Sequence, residues 1–178
     1  DACMRLWAEY LYEKKEYDRI SFTFVNGFEC DYVSWAEGKR VRIDNSICYW
    51  YDEAEKDYSY KTFRKYMDIV HNYANTTSLQ AQSAVVTPEE IHIGDIFVMT
   101  AKQMESRLGH AVIVVDMCIN PDTGERLLLI AESTTPASET YVVVGKSSMY
   151  GPWIKVDDMG TLVTANWVCD GDYIRRMK

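Results

Sequence analysis

The sequence predicts an α+β fold: a central antiparallel sheet with an N-terminal helix and one long helix packed on it. Three observations lead there. Apolar residues recur at three- and four-residue steps near the N-terminus and again from about residue 59 to 74, the period of a helix with one buried face. Two apolar runs, His110 to Cys118 and Arg126 to Glu132, have strand length and are joined by Asn120-Pro121-Asp122-Thr123-Gly124. In that segment Pro fixes φ for a turn and Gly supplies a positive φ after it. Finally, 178 residues with 47% hydrophobic and 26% charged side chains suit one domain, 1–178, with a substantial core.

The elements follow in order. In residues 2 to 15, Cys3, Leu6, Trp7, Tyr10 and Leu11 share a helical face, with Arg5, Glu9, Glu13 and Lys14 mostly away from it. Ile20 to Val25 alternates with period two and reads as a strand closed by Asn26-Gly27. Arg40 to Ile43 and Ile47 to Tyr51 flank Asp44-Asn45-Ser46 as a hairpin. The long helix carries Phe63, Tyr66, Met67, Val70, Tyr73 and Ala74 on its core stripe, and Asn75-Thr76-Thr77-Ser78 is expected to end it. Ile93 to Met99 is a turn feeding a strand, and Tyr141 to Val144 and Trp167 to Cys169 are further strands. The two long apolar strands are expected to be central, covered on both faces.

A net charge of -8 argues against a nucleic-acid partner, because phosphate binding needs a cationic face. Lys39 to Arg42 and Arg175 to Lys178 are short and read as solvated charges. No apolar run approaches the roughly 20 residues that span a bilayer. Asp1 to Leu6 already reads as the inside of a helix, so the chain is expected to be the C-terminal part of a longer one. The five cysteines are odd in number, irregularly spaced and free of any C-x-x-C pair, which disfavours a disulfide framework or a zinc ribbon. No cofactor is expected: there is no phosphate-cradling glycine loop, and three scattered histidines without ligand spacing do not make a metal site.

Among those histidines, His71 lies beside the stripe of the long helix and reads as structural, and His92 as an outward strand residue. His110 differs. It follows Gly109 and opens an apolar strand, where a fixed imidazole facing a loop can serve as a general base near neutral pH. A histidine that merely caps the strand is the alternative. A symmetric turn at Asn120 to Gly124 puts Glu132 about one diagonal away on the same face, because an even register keeps even-numbered residues together; a one-residue bulge would separate them. Glu132 there can hold the imidazole in one tautomer, or simply make local hydrogen bonds at a strand end. For a nucleophile, Cys3 lies near a helix N-terminus, where the dipole favours thiolate, yet it also falls on the apolar stripe. Cys30 is the second choice, on a loop, while Cys48, Cys118 and Cys169 sit in strand-like runs. Trp35, Trp50, Tyr51 and Trp153 could line a groove for sugar or peptide, or be core and rim.

The runs Asp1 to Tyr12, Ser59 to Tyr66, Gly109 to Asp116, Leu128 to Ser133 and Ser148 to Trp153 resemble one uncharacterised bacterial family, the domain of unknown function numbered 4846. That resemblance implies a cell-envelope or periplasmic protein without an assigned activity. More remotely, Gly94-Asp95-Ile96-Phe97-Val98 followed by Gly109-His110-Ala111-Val112-Ile113 is similar to the order found in papain-like NlpC-type and CHAP amidases. This likeness implies a papain-like fold, a cysteine-type amidase or peptidase acting on peptidoglycan-type peptide or glycan, His110 as base and Glu132 as orienting residue. The family resemblance also implies Gln-Cys-Ala just before the position of Asp1, in which case the nucleophile lies upstream and Cys3 replaces an aliphatic core residue. A non-catalytic binding or scaffold domain on the same fold is the alternative.

Overall fold

The computed structural model describes residues 1–136, 138–146, 150–157 and 159–178; Ser148, in the last of the resembling runs, lies outside them. The fold is mixed α+β, with an N-terminal helix and, among the described residues, a seven-stranded antiparallel sheet. The chain forms two compact units, Cys3–Gln82 and Ser83–Lys178.

The first unit holds the helices. Helix α1 (Ala2–Lys14) ends where Lys15 turns left-handed at φ 60°, letting its N–H and that of Glu16 reach the Tyr12 and Leu11 carbonyls. Its most buried residues are Cys3, Met4, Ala8 and Leu11, so the inner face is rotated from the expected stripe and Tyr10 is 52% exposed. The reason is on the outer side, where Trp7 stacks on Tyr10 and takes the Arg19 guanidinium over its ring. The expected strand is shorter, β1 (Ser21–Thr23), and pairs with β2 (Glu29–Asp31) as a hairpin around Gly27 at φ 87°. A short helix that periodicity does not reveal, α2 (Tyr32–Ala36), starts where the Asp31 carboxylate accepts from the Ser34 N–H. Strands β3 (Lys39–Asp44) and β4 (Ile47–Asp52) pair as anticipated. Helix α3 (Tyr60–Tyr73) is capped by Ser59 and buries Phe63, Tyr66, Met67 and Val70. Asn75 does more than end it: its side chain caps α4 (Thr76–Gln82) by accepting from the Thr77 and Ser78 N–H groups.

The second unit holds the sheet, whose strands are β5 (Ala84–Val85), β6 (Ile96–Met99), β7 (His110–Ile119), β8 (Arg126–Glu132), β9 (Tyr141–Val142), β10 (Ile154–Lys155) and β13 (Ile174–Arg176). They lie in the order β10-β8-β7-β6-β13-β5, with β9 also on β8. A separate ribbon pairs β11 (Leu162–Val163) with β12 (Val168–Cys169). One sheet face carries Val112 and Val114 of β7, Leu128 and Ile130 of β8, Phe97 and Ile174 into a single apolar cluster. Burial of each such side chain contributes about 1.5–3 kcal/mol. The long hairpin is central only in part, since β7 is buried at Val112–Val114 and emerges toward its turn.

Arg175 and Arg176 are not tail charges. They belong to β13, inside the sheet between β6 and β5, and Arg176 clamps Asp95 with Nε–Oδ1 and Nη2–Oδ2 both at 2.7 Å. The Asp95 side chain is 1% exposed and also accepts from the His92 N–H, so a buried charge is met by charge-assisted hydrogen bonds.

Candidate functional site

The site arises where the apolar face of the sheet reaches its rim. Continuing Val114 and Val112 along β7 leads to His110, and continuing Leu128 and Ile130 along β8 leads to Glu132. Alternation keeps each trio on one face.

Bringing these two residues together depends on the hairpin register. From the turn, pairing runs Ile119↔Arg126, Cys118↔Leu127, Met117↔Leu128 and Asp116↔Leu129. Carried on unchanged, it would set Glu132 opposite Ile113 and off the face of His110. The pairing instead skips Val115 and resumes as Val114↔Ile130 and Ile113↔Ala131. One residue further, Glu132 opposes Val112 and shares the face of His110. The expectation that an even turn unites the pair and a bulge separates them is therefore reversed. The register leaving the turn pairs even with odd numbers because Gly124, at φ 71°, closes the turn with Gly124 N–H on Asn120 O and Asn120 N–H on Glu125 O, and the β-bulge restores the shared face.

His110 Nε2 lies 2.6 Å from Glu132 Oε2, with the two side chains 23% and 5% exposed. An ionised carboxylate only accepts, so toward it Nε2 is the donor, and the neutral imidazole in that tautomer has its lone pair on Nδ1. The second oxygen, Oε1, accepts from the Tyr141 hydroxyl at 2.7 Å. Tyr141 stands directly across from Glu132 in the β8–β9 pairing. Donating to the carboxylate pushes the Tyr141 hydroxyl above its ordinary pKa, which keeps it a donor. A carboxylate so far from water needs such partners.

A cleft of about 240 Å³ borders the pair, walled by Met104, Leu108, Thr134, Thr135, Asn166 and Trp167. The imidazole meets the Trp167 indole at 4.9 Å between ring centres and 87° between planes. Apart from the pair, this wall is apolar or neutral and polar among the described residues. What the arrangement offers chemically is a partly exposed, tautomerically fixed imidazole beside a small uncharged pocket.

The cysteines are placed differently. Cys3 lies on α1 and is 2% exposed. Cys30 is on β2 rather than a loop, fully buried, and burial pushes its thiol pKa up. Burial takes the Cys169 thiol to about 12. Cys48 is half-buried, with its sulfur 3.0 Å from Asn26 Nδ2, while Cys118 is exposed at the turn end of β7. Trp35 is buried too, its indole N–H donating to the Thr62 carbonyl and the Arg40 guanidinium over its ring. Tyr141 and Trp167 join the site without having stood out in the sequence. Their approach rests on strand pairings that no local pattern announces. Among the described residues, no group of three or more His, Cys, Asp or Glu gathers as a metal centre, and no helix is long and apolar enough to cross a membrane.

Comparison with known proteins agrees with part of what the sequence suggests. No curated protein and no solved structure matches the chain. The profile of one family, described as Domain of unknown function (4846), matches residues 1–176, and the chain belongs to that family.

Proposed function

We propose that the chain is a cysteine-type amidase or peptidase domain of papain-like kind, acting in the bacterial envelope on peptidoglycan-type peptides. His110 is its acid/base and Glu132 its orienting carboxylate. The observation that carries the reading is the 2.6 Å bond between His110 Nε2 and a nearly buried Glu132 at the edge of a cleft. It makes Nδ1 the basic nitrogen, and positioned imidazoles of this kind contribute roughly 100- to 10,000-fold to proton-transfer steps. The similarity of Gly94-Asp95 and Gly109-His110 to the order in NlpC-type and CHAP amidases supplies the rest. A cysteine thiol gives its proton to Nδ1, and the sulfur adds to the amide carbonyl carbon. The imidazolium then protonates the departing amine, and water, deprotonated by the same imidazole, cleaves the thioester. Within this chain Cys3 is the candidate thiol, and its burial is the feature that weighs most against it.

A second reading, a binding or scaffold domain without chemistry, is favoured by one observation. Among the described residues the cleft wall offers threonine hydroxyls but no thiol. A thiol-directed reagent separates the two. In the enzyme, one cysteine of the intact protein reacts quickly at neutral pH and His110→Ala slows it, with Cys3→Ala identifying the sulfur. Uniformly slow labelling, together with binding of peptidoglycan fragments that are never cut, supports the scaffold instead.

A further inference from the structure

Among the described residues Trp167 contributes the one ring that meets His110, and the fold mounts it firmly. It ends the turn of the β11–β12 ribbon, whose pairs are Leu162↔Cys169 and Val163↔Val168. Thr164, 3% exposed, ties that turn from both sides. Its hydroxyl oxygen accepts from the Trp167 N–H at 3.0 Å and the Asn166 N–H at 3.3 Å, and it donates to the Trp167 carbonyl at 3.1 Å. The Thr164 N–H reaches the same carbonyl at 2.9 Å. The indole packs on the apolar cluster of the sheet, and its Nε1 is out of solvent with no hydrogen-bond partner among the described residues. Orphaned buried donors are rare in folded proteins and call for a reason. This one belongs to the ring standing perpendicular to the imidazole.

We propose that Trp167 is a positioning residue for His110. Its edge-to-face contact fixes the imidazole plane, and its bulk keeps water from the Nε2–Oε2 bond. The physical ground is that aromatic rings favour this perpendicular arrangement, while a water competing for Nε2 or for the carboxylate would let the ring turn. The role rests on the reading of His110 as acid/base. It is read out separately, through the imidazole proton itself.

The experiment is proton NMR of protein labelled with nitrogen-15 in histidine. A proton on His110 Nε2 gives a resolved signal only while exchange with water is slow. The wild-type protein shows this signal, and Glu132→Gln, which removes the charged acceptor, shifts or abolishes it. Trp167→Phe keeps it. Trp167→Leu, which keeps an apolar side chain there and so is milder than an alanine variant that risks simply unfolding, loses it while the sheet amides keep their dispersion. Wild-type exchange in Trp167→Leu overturns the positioning role and leaves the His110–Glu132 pair standing. A wild-type protein without the signal overturns both. A protein that shows the signal but hydrolyses nothing retains the positioning role and loses only the enzymatic reading.

Discussion

Glu132 is held by two donors of different kinds, and they separate experimentally. Tyr141→Phe removes a hydrogen bond to one carboxylate oxygen and leaves the imidazole in place. A bond to a charged acceptor contributes about 1.5–3 kcal/mol, and exposure of Tyr141 lowers that here to about 1 kcal/mol. Urea unfolding of the two proteins measures it, and equal midpoints would deny the bond any energetic weight. His71 supplies a pH test. Burial, chiefly, lowers its pKa to about 4 from 6.5, with the Asp1 amino group also acting in that direction, and its Nε2 is buried without a hydrogen-bond partner among the described residues. The unfolded chain therefore binds the proton more readily than the folded one between those values. Stability is fully present above pH 6.5 and is lost as pH falls toward 4. His71→Gln should flatten that part of the stability–pH curve, and an unchanged slope would place the dependence elsewhere. His110 and Glu132 could be singled out in the sequence because a Gly-His step and an acid end two recognisable apolar runs. Tyr141 and Trp167 could not, since one depends on β9 lying across Glu132 and the other on the tip of a two-residue ribbon.

For the elements, the decisive feature is the bulge at Val115. Deleting Val115 removes the unpaired residue without changing the pairs: Val114 then follows Asp116 and still meets Ile130, and Glu132 still opposes Val112 on the face of His110. The hairpin should survive with its pair intact. The imidazole proton signal is kept, any His110-dependent labelling stays at the wild-type level, and far-ultraviolet circular dichroism stays nearly unchanged. Loss of the proton signal in the folded deletion variant would mean that this register does not set the pair. Pro121 and Gly124 mark the turn in the sequence, but nothing local marks the bulge, because Val115 differs in no visible way from Val112 or Val114. Helix ends behave alike. Ser59 is readable as a cap before a strong stripe, whereas Asp31 starts a five-residue helix too short for periodicity to reveal.

At the scale of the molecule, the α+β class follows from helical stripes gathered before residue 82 and apolar strands gathered after it. What composition hides is the closing strand. Ile174–Arg176 looks like a charged tail, yet it is seated between β6 and β5 because Arg176 has a buried carboxylate to meet. Arg176→Met should destabilise the protein by about 2–3 kcal/mol, less than a fully buried pair because the guanidinium is 43% exposed. Thermal unfolding monitored in the sheet tests this, and a loss below about 0.5 kcal/mol, the range of ordinary surface substitutions, would reduce the clamp to a surface contact. The functional claim rests on His110. The most direct measurement is the release of new amino groups from peptidoglycan-derived peptides by the wild-type protein and by His110→Gln. Turnover should fall by about 100-fold or more in the variant. Equal turnover in both proteins, or peptides bound and recovered intact by the wild type, would rule out His110 as the acid/base of such a reaction.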